Sequence, residues 1–390
     1  METLFWILVF ISFFTYIGYG ILLYILVKIK EIIRPPKQKV LPEILPPVTL
    51  FIAAYNEEDF IKEKMENCMD LDYPKEKVTI LWVTDGSNDN TNELLNEYPN
   101  VQVLFIPERQ GKTAAINRGI AFVEDELVVF SDANSMLNKD SLKVIVVAFT
   151  DPKVGCVSGE KRIDTKDSDA TSSKGEGAYW KYESKLKELD SRLYSVVGAA
   201  GELFAVRTPL YEQLPNDTLL DDFMESMLIT KKKYKTAYCP RAYATEGGSL
   251  NMAEESIRKV RIASGGLQSV WRLRALLNIF KYGILSFQYI SHRVLRWTIT
   301  PFAFFLLLPL NIYLYIYAPH WMYSIMLFMQ CLFYFCGVMG YILEKRNKKN
   351  KILYIPYYFL FMNINVFKGI LYLRKKKGSG AWEKSKRKMT

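Results

Sequence analysis

The chain has 390 residues, of which 50% are hydrophobic and 14% are aromatic, and its formal net charge is +10. This length allows one large domain with membrane segments, or two ordinary domains. The basic residues form two clusters, at 345–351 and 374–388, and both flank apolar runs. We therefore expect anionic phospholipid as their partner and no nucleic acid. The five cysteines have neither metal nor redox spacing, which predicts reduced, structural thiols.

The first segment predicts a membrane anchor. Residues 4–27 carry no charge, over a length sufficient to cross a bilayer. No basic stretch precedes them and no small-residue cleavage site follows, which favours an uncleaved anchor over 1–30. Lys28, Lys30 and Arg34 come directly after it, so we expect Met1 outside and the following residues in the cytosol. The proline-rich connector at 31–47 is typical of a stiff spacer.

The next part of the chain alternates short apolar runs with helical patterns. Strands are predicted over 48–54, 78–84, 101–106 and 127–131, with helices over 57–69, 91–98 and 112–123. Continuous apolar strands separated by helices predict an α/β fold whose mostly parallel sheet is covered on both faces. Ligands bind such sheets at the carboxyl ends of the strands.

The second half of the predicted domain, which ends near residue 250, is less regular. Helices are predicted over 177–193 and 219–231, and strands over 199–207 and 234–243. A polar stretch at 164–174 indicates a mobile loop. An amphipathic pattern over 253–277 predicts interface helices within 251–297.

Residues 298–373 again have the apolar composition that is typical of membrane segments. Spans are predicted at 301–317 and 322–343, whereas Pro356, Asn363, Asn365 and Lys368 interrupt the apolar run at 352–373. A full span there would place the eight Lys and Arg residues of the 374–390 tail outside the cell. We therefore predict a re-entrant or surface-lying segment and a cytosolic tail in a multi-pass protein of the inner membrane. The alternative is an ordinary fourth span.

Four polar clusters follow the four predicted strands. Each alone could be a helix cap or a turn. A phosphate loop at 111–113 is rejected, because that motif needs a glycine where Ile106 stands. Together and in order, the clusters indicate a nucleotide-diphosphate site. They are Tyr55-Asn56-Glu57, Asp85-Gly86-Ser87-Asn88-Asp89, Arg109-Gln110-Gly111-Lys112 and Asp132-Ala133-Asn134.

The residue types in these clusters match the parts of such a ligand. Glu57 and Asp85 can accept hydrogen bonds from a base and a ribose. Asp132 and the amide oxygen of Asn134 are hard ligands, suited to Mg²⁺ or Mn²⁺ bridging two phosphates. The two cations of the third cluster offer positive charge to a departing diphosphate.

These motifs resemble those of the inverting family 2 glycosyltransferases with a GT-A fold. The branch they resemble is the membrane one that contains cellulose, hyaluronan, chitin and poly-N-acetylglucosamine synthases. The resemblance implies donor binding by Tyr55 as well, and it differs at Asn134, where the family usually has a second Asp. It rests on VTLFIAAYNEEDFIK at 48–62, VTDGSNDNT at 83–91, RQGKTAAINRG at 109–119 and SDAN at 131–134.

The resemblance extends to the acceptor side. GAAGELFAVR at 198–207 is similar to the family's acceptor strand, which implies acceptor contacts by Gly201 and Glu202. Asp221 and Asp222 occupy the position of the Thr-Glu-Asp motif, which implies that Asp222 is the catalytic base. The alternative interpretation is two acidic residues in the first turn of a helix.

The family's Gln-x-x-Arg-Trp motif is altered. Arg261 keeps the arginine that contacts the diphosphate, but Ile262 replaces the tryptophan that stacks on the acceptor sugar. We therefore expect single or short additions.

The sequence as a whole predicts a membrane glycosyltransferase, of hexosyltransferase type. It transfers a sugar from a UDP-sugar, with inversion, to a growing glycan or a lipid-linked acceptor. The alternatives are a processive polysaccharide synthase and an inactive membrane protein that binds nucleotide sugars. A transporter would leave the long α/β pattern unexplained.

Overall fold

The computed structural model describes residues 1–36, 40–163, 171–249, 251–346, 348 and 350–375, with backbone alone at 171–179 and 351. The described strands are β1 Val48–Ala54, β2 Val78–Asp85, β3 Gln102–Ile106, β4 Leu127–Asp132, β5 Met136–Leu137, β6 Val154–Ile163, β7 Leu203–Arg207 and β8 Lys235–Glu246. The described helices are α1 Glu2–Phe13, α2 Tyr19–Ile33, α3 Ile61–Met69, α4 Thr91–Leu95, α5 Lys112–Gly119, α6 Ser141–Phe149, α7 Thr171–Leu193, α8 Asp221–Lys231, α9 Met252–Arg272, α10 Ile279–Tyr282, α11 Ile284–Tyr289, α12 Leu295–Trp297, α13 Ile299–Tyr317, α14 Trp321–Lys345 and α15 Lys351–Lys375.

The strands form one sheet in the order β3-β2-β1-β4-β7-β6-β8-β5. The first four are parallel, β7 runs antiparallel to β4 and β6, and β6 pairs with β8 in parallel. Successive residues of β1 pack on opposite faces, Leu50 in one buried cluster and Phe51 in the other. Both faces are thus covered, which explains the unbroken apolar strands. The predicted α/β class is confirmed.

Some predicted boundaries shift, and three elements had no prediction. Strands β2 and β4 each run one residue further than expected, so that Asp85 and Asp132 are themselves their last residues. The strand expected from residue 199 begins only at Leu203, because 198–202 form a loop in which Gly198 has φ +89°. Helix α6 and strands β5 and β6 were missed. Strand β6 mixes glycines and charged residues, which hides the strand pattern.

Within the described residues, three helices are long and apolar enough to cross a membrane: Glu2–Ile33, Ile299–Tyr317 and Trp321–Lys345. The first contains a π-helical turn at Phe14–Gly18, between α1 and α2. Its two halves have different partners: α1 packs against α13, and α2 packs against α7. The ammonium of Lys30 donates hydrogen bonds to the last carbonyls of α7, at Arg192 (2.6 Å) and Leu193 (2.8 Å). The first apolar helix is therefore joined directly to the part of the chain that carries the sheet.

Helix α15 corrects one expectation. It is unbroken over Lys351–Lys375, so the predicted re-entrant path is wrong. The asparagines that suggested a break instead form contacts between helices. Asn363 accepts a hydrogen bond from Tyr16 (2.7 Å), and Asn365 accepts one from Ser256 (2.8 Å). The surface-lying alternative remains a prediction. The tail beyond residue 375, and most of the loop predicted at 164–174, lie outside the described residues.

Candidate active site

The first three polar clusters meet at the carboxyl edge of β1, β2 and β3. The amide of Asn56 donates to Asn88 (2.7 Å), and the backbone N–H of Asn88 donates to Asn56 (3.0 Å). The backbone N–H of Glu57 donates to the Thr91 hydroxyl (2.9 Å). The guanidinium of Arg109 lies 3.8 Å from the centre of the Tyr55 ring. Three chain segments thus form one surface, as the strand pattern predicts.

Asp85 holds this surface together. Its carboxylate accepts hydrogen bonds from the backbone N–H groups of Gln110 (3.0 Å) and Gly111 (2.6 Å). The next residue, Gly86, has φ +70°, and a Cβ there would lie 2.6 Å from the backbone nitrogen of Arg109. A glycine is therefore required at that position. Asp85 positions the loop that carries Arg109 and Lys112, in addition to any contact with a ligand.

Lys112 links this edge to the second half of the chain. Its ammonium lies 2.7 Å from Asp132 at the end of β4 and 3.9 Å from Asp221 at the start of α8. Burial opposes the charge of this lysine, but the two carboxylates outweigh burial and raise the pKa of Lys112. We call Tyr55, Glu57, Asp85, Arg109, Lys112 and Asp132 the strand-end cluster.

Asp222 begins α8 beside Asp221. Its side chain is partly buried, and burial, followed by the charge of Asp221, raises its pKa to about 7, although Lys112 acts in the opposite direction. A carboxylate with such a pKa is suited to general base catalysis near neutral pH. Gly201 lies against it, since a Cβ there would come within 2.9 Å of the carboxylate oxygen Oδ2. Gly201 therefore leaves room for Asp222.

Glu202 is held in an ion-pair network. Lys161 on β6 contacts Glu202 at 2.6 Å and also pairs with Glu246. The ammonium of Lys161 lies 5.1 Å from the centre of the Trp180 ring. Glu202 also lines the cavity described below, and the acceptor contact implied by the motif stays a prediction. Lys161 was missed because β6 had no strand signal, and Glu246 was missed because β8 runs three residues past the predicted end at 243.

A cavity of about 530 Å³ extends from the carboxyl edge of the sheet to helix α15. At one end are Lys112, Asp132, Asp221 and Asp222, and at the other end is α15. Arg261 and Ile262 line it from α9, as the motif position implies. Sequence reasoning missed its other charged walls, because their residues come from helices that are far apart in the sequence. These are Glu183 and Lys187 on α7, and Arg293 and Arg296 near α12. Arg258 and Lys259 also line the cavity, from the segment of α9 that carries the altered motif.

The predicted metal ligands are few. Across the described ranges, no group of three or more His, Cys, Asp and Glu side chains has an arrangement that could hold a metal ion. Asp132 reaches the cavity, whereas Asn134 is half-buried and does not line it. One carboxylate completed by substrate phosphates is nevertheless a usual set of ligands for Mg²⁺. The residues therefore fit a metal ion that binds together with a diphosphate.

Comparisons with known proteins agree with this geometry. The family model described as glycosyl transferase family 2 matches residues 49–214, which contain the strand-end cluster and end before Asp221. A poly-β-1,6-N-acetyl-D-glucosamine synthase of Staphylococcus epidermidis is 25% identical over 369 residues, covering 86% of both chains. The synthase of that name from Staphylococcus aureus strain MSSA476 is 35% identical over 125 residues, 31% of this chain and 30% of that protein.

One solved structure resembles nearly the whole chain. It is the mannosyltransferase PcManGT from Pyrobaculum calidifontis, in complex with GDP-Man and Mn²⁺. The superposition covers 97% of this chain and 99% of that one, with a TM-score of 0.71 and 20% sequence identity. At this identity the similarity concerns the fold, which includes the apolar helices as well as the sheet.

Proposed function

The chain is a family 2 glycosyltransferase with a GT-A fold, and we propose that it transfers a sugar from a UDP-sugar to an acceptor at the membrane, with inversion. The observation that carries this proposal is Asp222. Its carboxyl has a pKa of about 7, and it lies where a cavity from the membrane side meets Lys112 and Asp132. An acceptor hydroxyl and a donor diphosphate would meet at this point.

The chemistry is a single displacement. Asp222 takes the proton of the acceptor hydroxyl as its oxygen attacks the anomeric carbon of the donor. A bond forms between that oxygen and the anomeric carbon, and the bond to the diphosphate breaks with its electron pair on the diphosphate. Lys112 lies next to this leaving group and stabilises its charge, as fixed cations do in a transition state.

The strand-end cluster would bind the donor. Tyr55, Glu57 and Asp85 would contact the nucleoside, and Arg109 and Arg261 would add positive charge for the diphosphate. Mg²⁺ or Mn²⁺ on Asp132 would neutralise the phosphates. The Mn²⁺ in the similar mannosyltransferase complex supports this assignment.

We further propose that the catalytic domain is on the cytosolic side of the inner membrane. Lys28, Lys30 and Arg34 follow the first apolar helix, and the basic residues near 345–351 follow the third. Under the positive-inside tendency both groups belong on the cytosolic side. In this topology Ile299–Tyr317 crosses the membrane outward and Trp321–Lys345 returns to the cytosolic side.

A processive polysaccharide synthase is the second candidate. The names of the two staphylococcal relatives favour it. Ile262 opposes it, because an aliphatic side chain lines the cavity where the family usually has a tryptophan. The chain length of the product separates the two candidates.

The direct test is turnover by the purified protein in detergent. Each UDP-sugar is screened for UDP release with and without Mn²⁺, and the active donor is then compared between the wild type and Asp222→Asn. We expect release with one donor and its near loss in the variant. No release with any nucleotide sugar would instead support the inactive, nucleotide-sugar-binding alternative.

A further inference from the structure

We propose that the acceptor is a phosphate-bearing lipid that enters the cavity from the membrane and presents a hydroxyl to Asp222. This inference rests on the proposed function and adds the class of acceptor. The cavity connects two chemical environments: acidic and basic side chains near Asp222, and apolar side chains on α15. A phospholipid has two matching parts, a charged headgroup and an apolar acyl chain.

The membrane end of the cavity offers few hydrogen bonds to a ligand. The hydroxyl of Tyr16 donates to Asn363 (2.7 Å), and that of Tyr358 donates to Glu255 (3.0 Å). The hydroxyl of Tyr182 donates to the backbone carbonyl of Tyr16 (2.6 Å). These polar groups therefore have partners within the protein.

The remaining lining at this end is apolar. Ile355, Phe359, Met362 and Val366 lie on successive turns of α15, and Ile355 is 71% exposed, so it marks an opening on the surface of the helix bundle. A glycan would bury hydroxyl groups against these side chains without hydrogen-bond partners, at a cost of about 1–3 kcal/mol for each group. A hydrocarbon chain has no such cost, which favours lipid as the occupant.

The cavity wall also carries a lysine that could bind an anionic ligand. Lys187 on α7 is 5% exposed, lines the cavity, and has no carboxylate within salt-bridge distance among the described residues. Burial and the neighbouring Arg293 lower the pKa of Lys187, although Glu183, Glu202 and Asp222 act in the opposite direction. A phosphate group on the ligand would supply Lys187 with an anionic hydrogen-bond acceptor, since the described carboxylates of the wall lie outside salt-bridge distance of it.

The two ends restrict how such a lipid would lie. Its chain would follow α15, its phosphate would contact Lys187, and its hydroxyl would reach Asp222. The hydroxyl oxygen forms the new bond to the anomeric carbon, its proton passes to Asp222, and the diphosphate leaves. A long glycan need not thread through the membrane helices in this arrangement.

The test compares two lipid acceptors that differ by the phosphoglycerol headgroup. The full-length protein, in mixed micelles with the donor identified by UDP release, receives phosphatidylglycerol or a diacylglycerol with the same acyl chains. Both lipids carry a free hydroxyl, but only the first carries phosphate. We expect labelled sugar to enter the organic phase at least about tenfold faster with phosphatidylglycerol, in line with the strength of charged hydrogen bonds. Equal or faster transfer to diacylglycerol, or transfer only to a soluble oligosaccharide primer, would overturn the proposal.

Variants of α7 test the contact itself. Lys187→Gln should raise the KM for phosphatidylglycerol by on the order of tenfold or more, whereas Lys187→Arg should keep most of the wild-type affinity. Lys185→Gln is the matched control, because Lys185 is on the same helix, is 57% exposed and pairs with Glu188. An increase in the KM for the donor in place of the lipid would assign Lys187 to donor binding and overturn the inference. Absence of UDP release from the wild type would instead count against the transferase activity.

Discussion

The strand-end cluster and the cavity are built in opposite ways. The cluster spans residues 55–132, and each of its side chains stands at or just past the end of a parallel strand. The cavity collects residues from Tyr16 to Val366, on helices that are far apart in the sequence. A cluster of this kind depends on local chain geometry, whereas the cavity depends on how the helices pack. Substitutions in the cavity can therefore change the acceptor while the donor site and the sheet remain intact.

The two regions also differ in how they hold charge. Asp85 is held by backbone N–H groups, which no side-chain substitution elsewhere removes. The cavity wall relies on buried ion pairs: Glu183 contacts Arg296 at 3.0 Å and also pairs with Arg293. Removing one partner of a buried pair leaves an uncompensated charge, which typically costs about 3–5 kcal/mol. The cavity is thus the more fragile of the two regions.

The largest effect is expected where the two regions meet. Asp222→Asn removes the proton acceptor but keeps the shape of the side chain, so the transfer rate should fall by on the order of 10²–10⁴ while donor affinity is retained. Initial rates and UDP binding measure the two quantities. Glu225→Gln is the matched control. Glu225 is also on α8, is buried, and has a pKa that burial raises to about 8, but it does not line the cavity. Near-wild-type turnover in Asp222→Asn would mean that another group is the base.

The second effect concerns metal binding at the end of β4. Asp132→Asn should reduce activity by about 100-fold or more, since loss of even an indirect metal partner costs about 10–100-fold. Asn134→Asp should be tolerated or should tighten metal binding, because a carboxylate adds charge where the amide has only a dipole. Titration of Mn²⁺ into EDTA-treated protein measures both variants. Full activity in excess EDTA would remove the metal from the mechanism.

The third effect is the pH dependence of the rate. Asp222 must be ionised to act as a base, so kcat should fall about tenfold for each pH unit below its apparent pKa, near pH 7. The acidic limb should disappear from the residual activity of Asp222→Asn. A limb centred near pH 4 would show that Asp222 has an ordinary carboxyl pKa in the folded protein.

The same pKa predicts an effect on stability. The pKa of Asp222 is about 7 in the folded protein, against an ordinary value of 3.8. The folded state therefore binds the proton more tightly than the unfolded state, and this contribution is complete below pH 3.8 and lost as the pH rises through 7. Asp222→Asn should thus be more stable than the wild type at pH 8, by up to about 4 kcal/mol, and the difference should shrink toward pH 4. Thermal midpoints in detergent at both pH values test this, and a constant difference would contradict it.

The smallest effect concerns the acceptor side of α9. With Ile262 in the cavity, we expect short products, because an aliphatic side chain lacks the flat face on which successive sugars stack. Ile262→Trp should lengthen the product or raise transfer to saccharides a fewfold, in line with the ~0.5–1.5 kcal/mol of an aromatic contact. Product size by chromatography measures the change. Trp271→Leu is a control, since Trp271 is 71% exposed and outside the cavity. Polymer of high molecular weight from the wild type would contradict this prediction.

The sequence by itself determined the parallel strands β1 to β4 of the sheet and the strand-end cluster. Apolar runs with helical segments between them specify parallel strands, and Asp85 and Asp132 at the ends of such runs must come together at one edge. These strands and their polar ends lie within about 85 consecutive residues, so their pairing can be predicted without contacts from distant segments. The apolar lengths also determined the three candidate spans, because crossing a bilayer depends on length and composition alone.

Only the tertiary structure decided the rest. Strand β6 carries Lys161, whose partner Glu246 is on β8, and neither strand indicates the other in sequence. The asparagines of α15 looked like a break in a span until their partners on other helices were visible. The pKa of Asp222 depends on burial and on Asp221, Lys112 and Glu202 together. In each case the property comes from contacts between distant segments, and a pattern of neighbouring residues does not contain them.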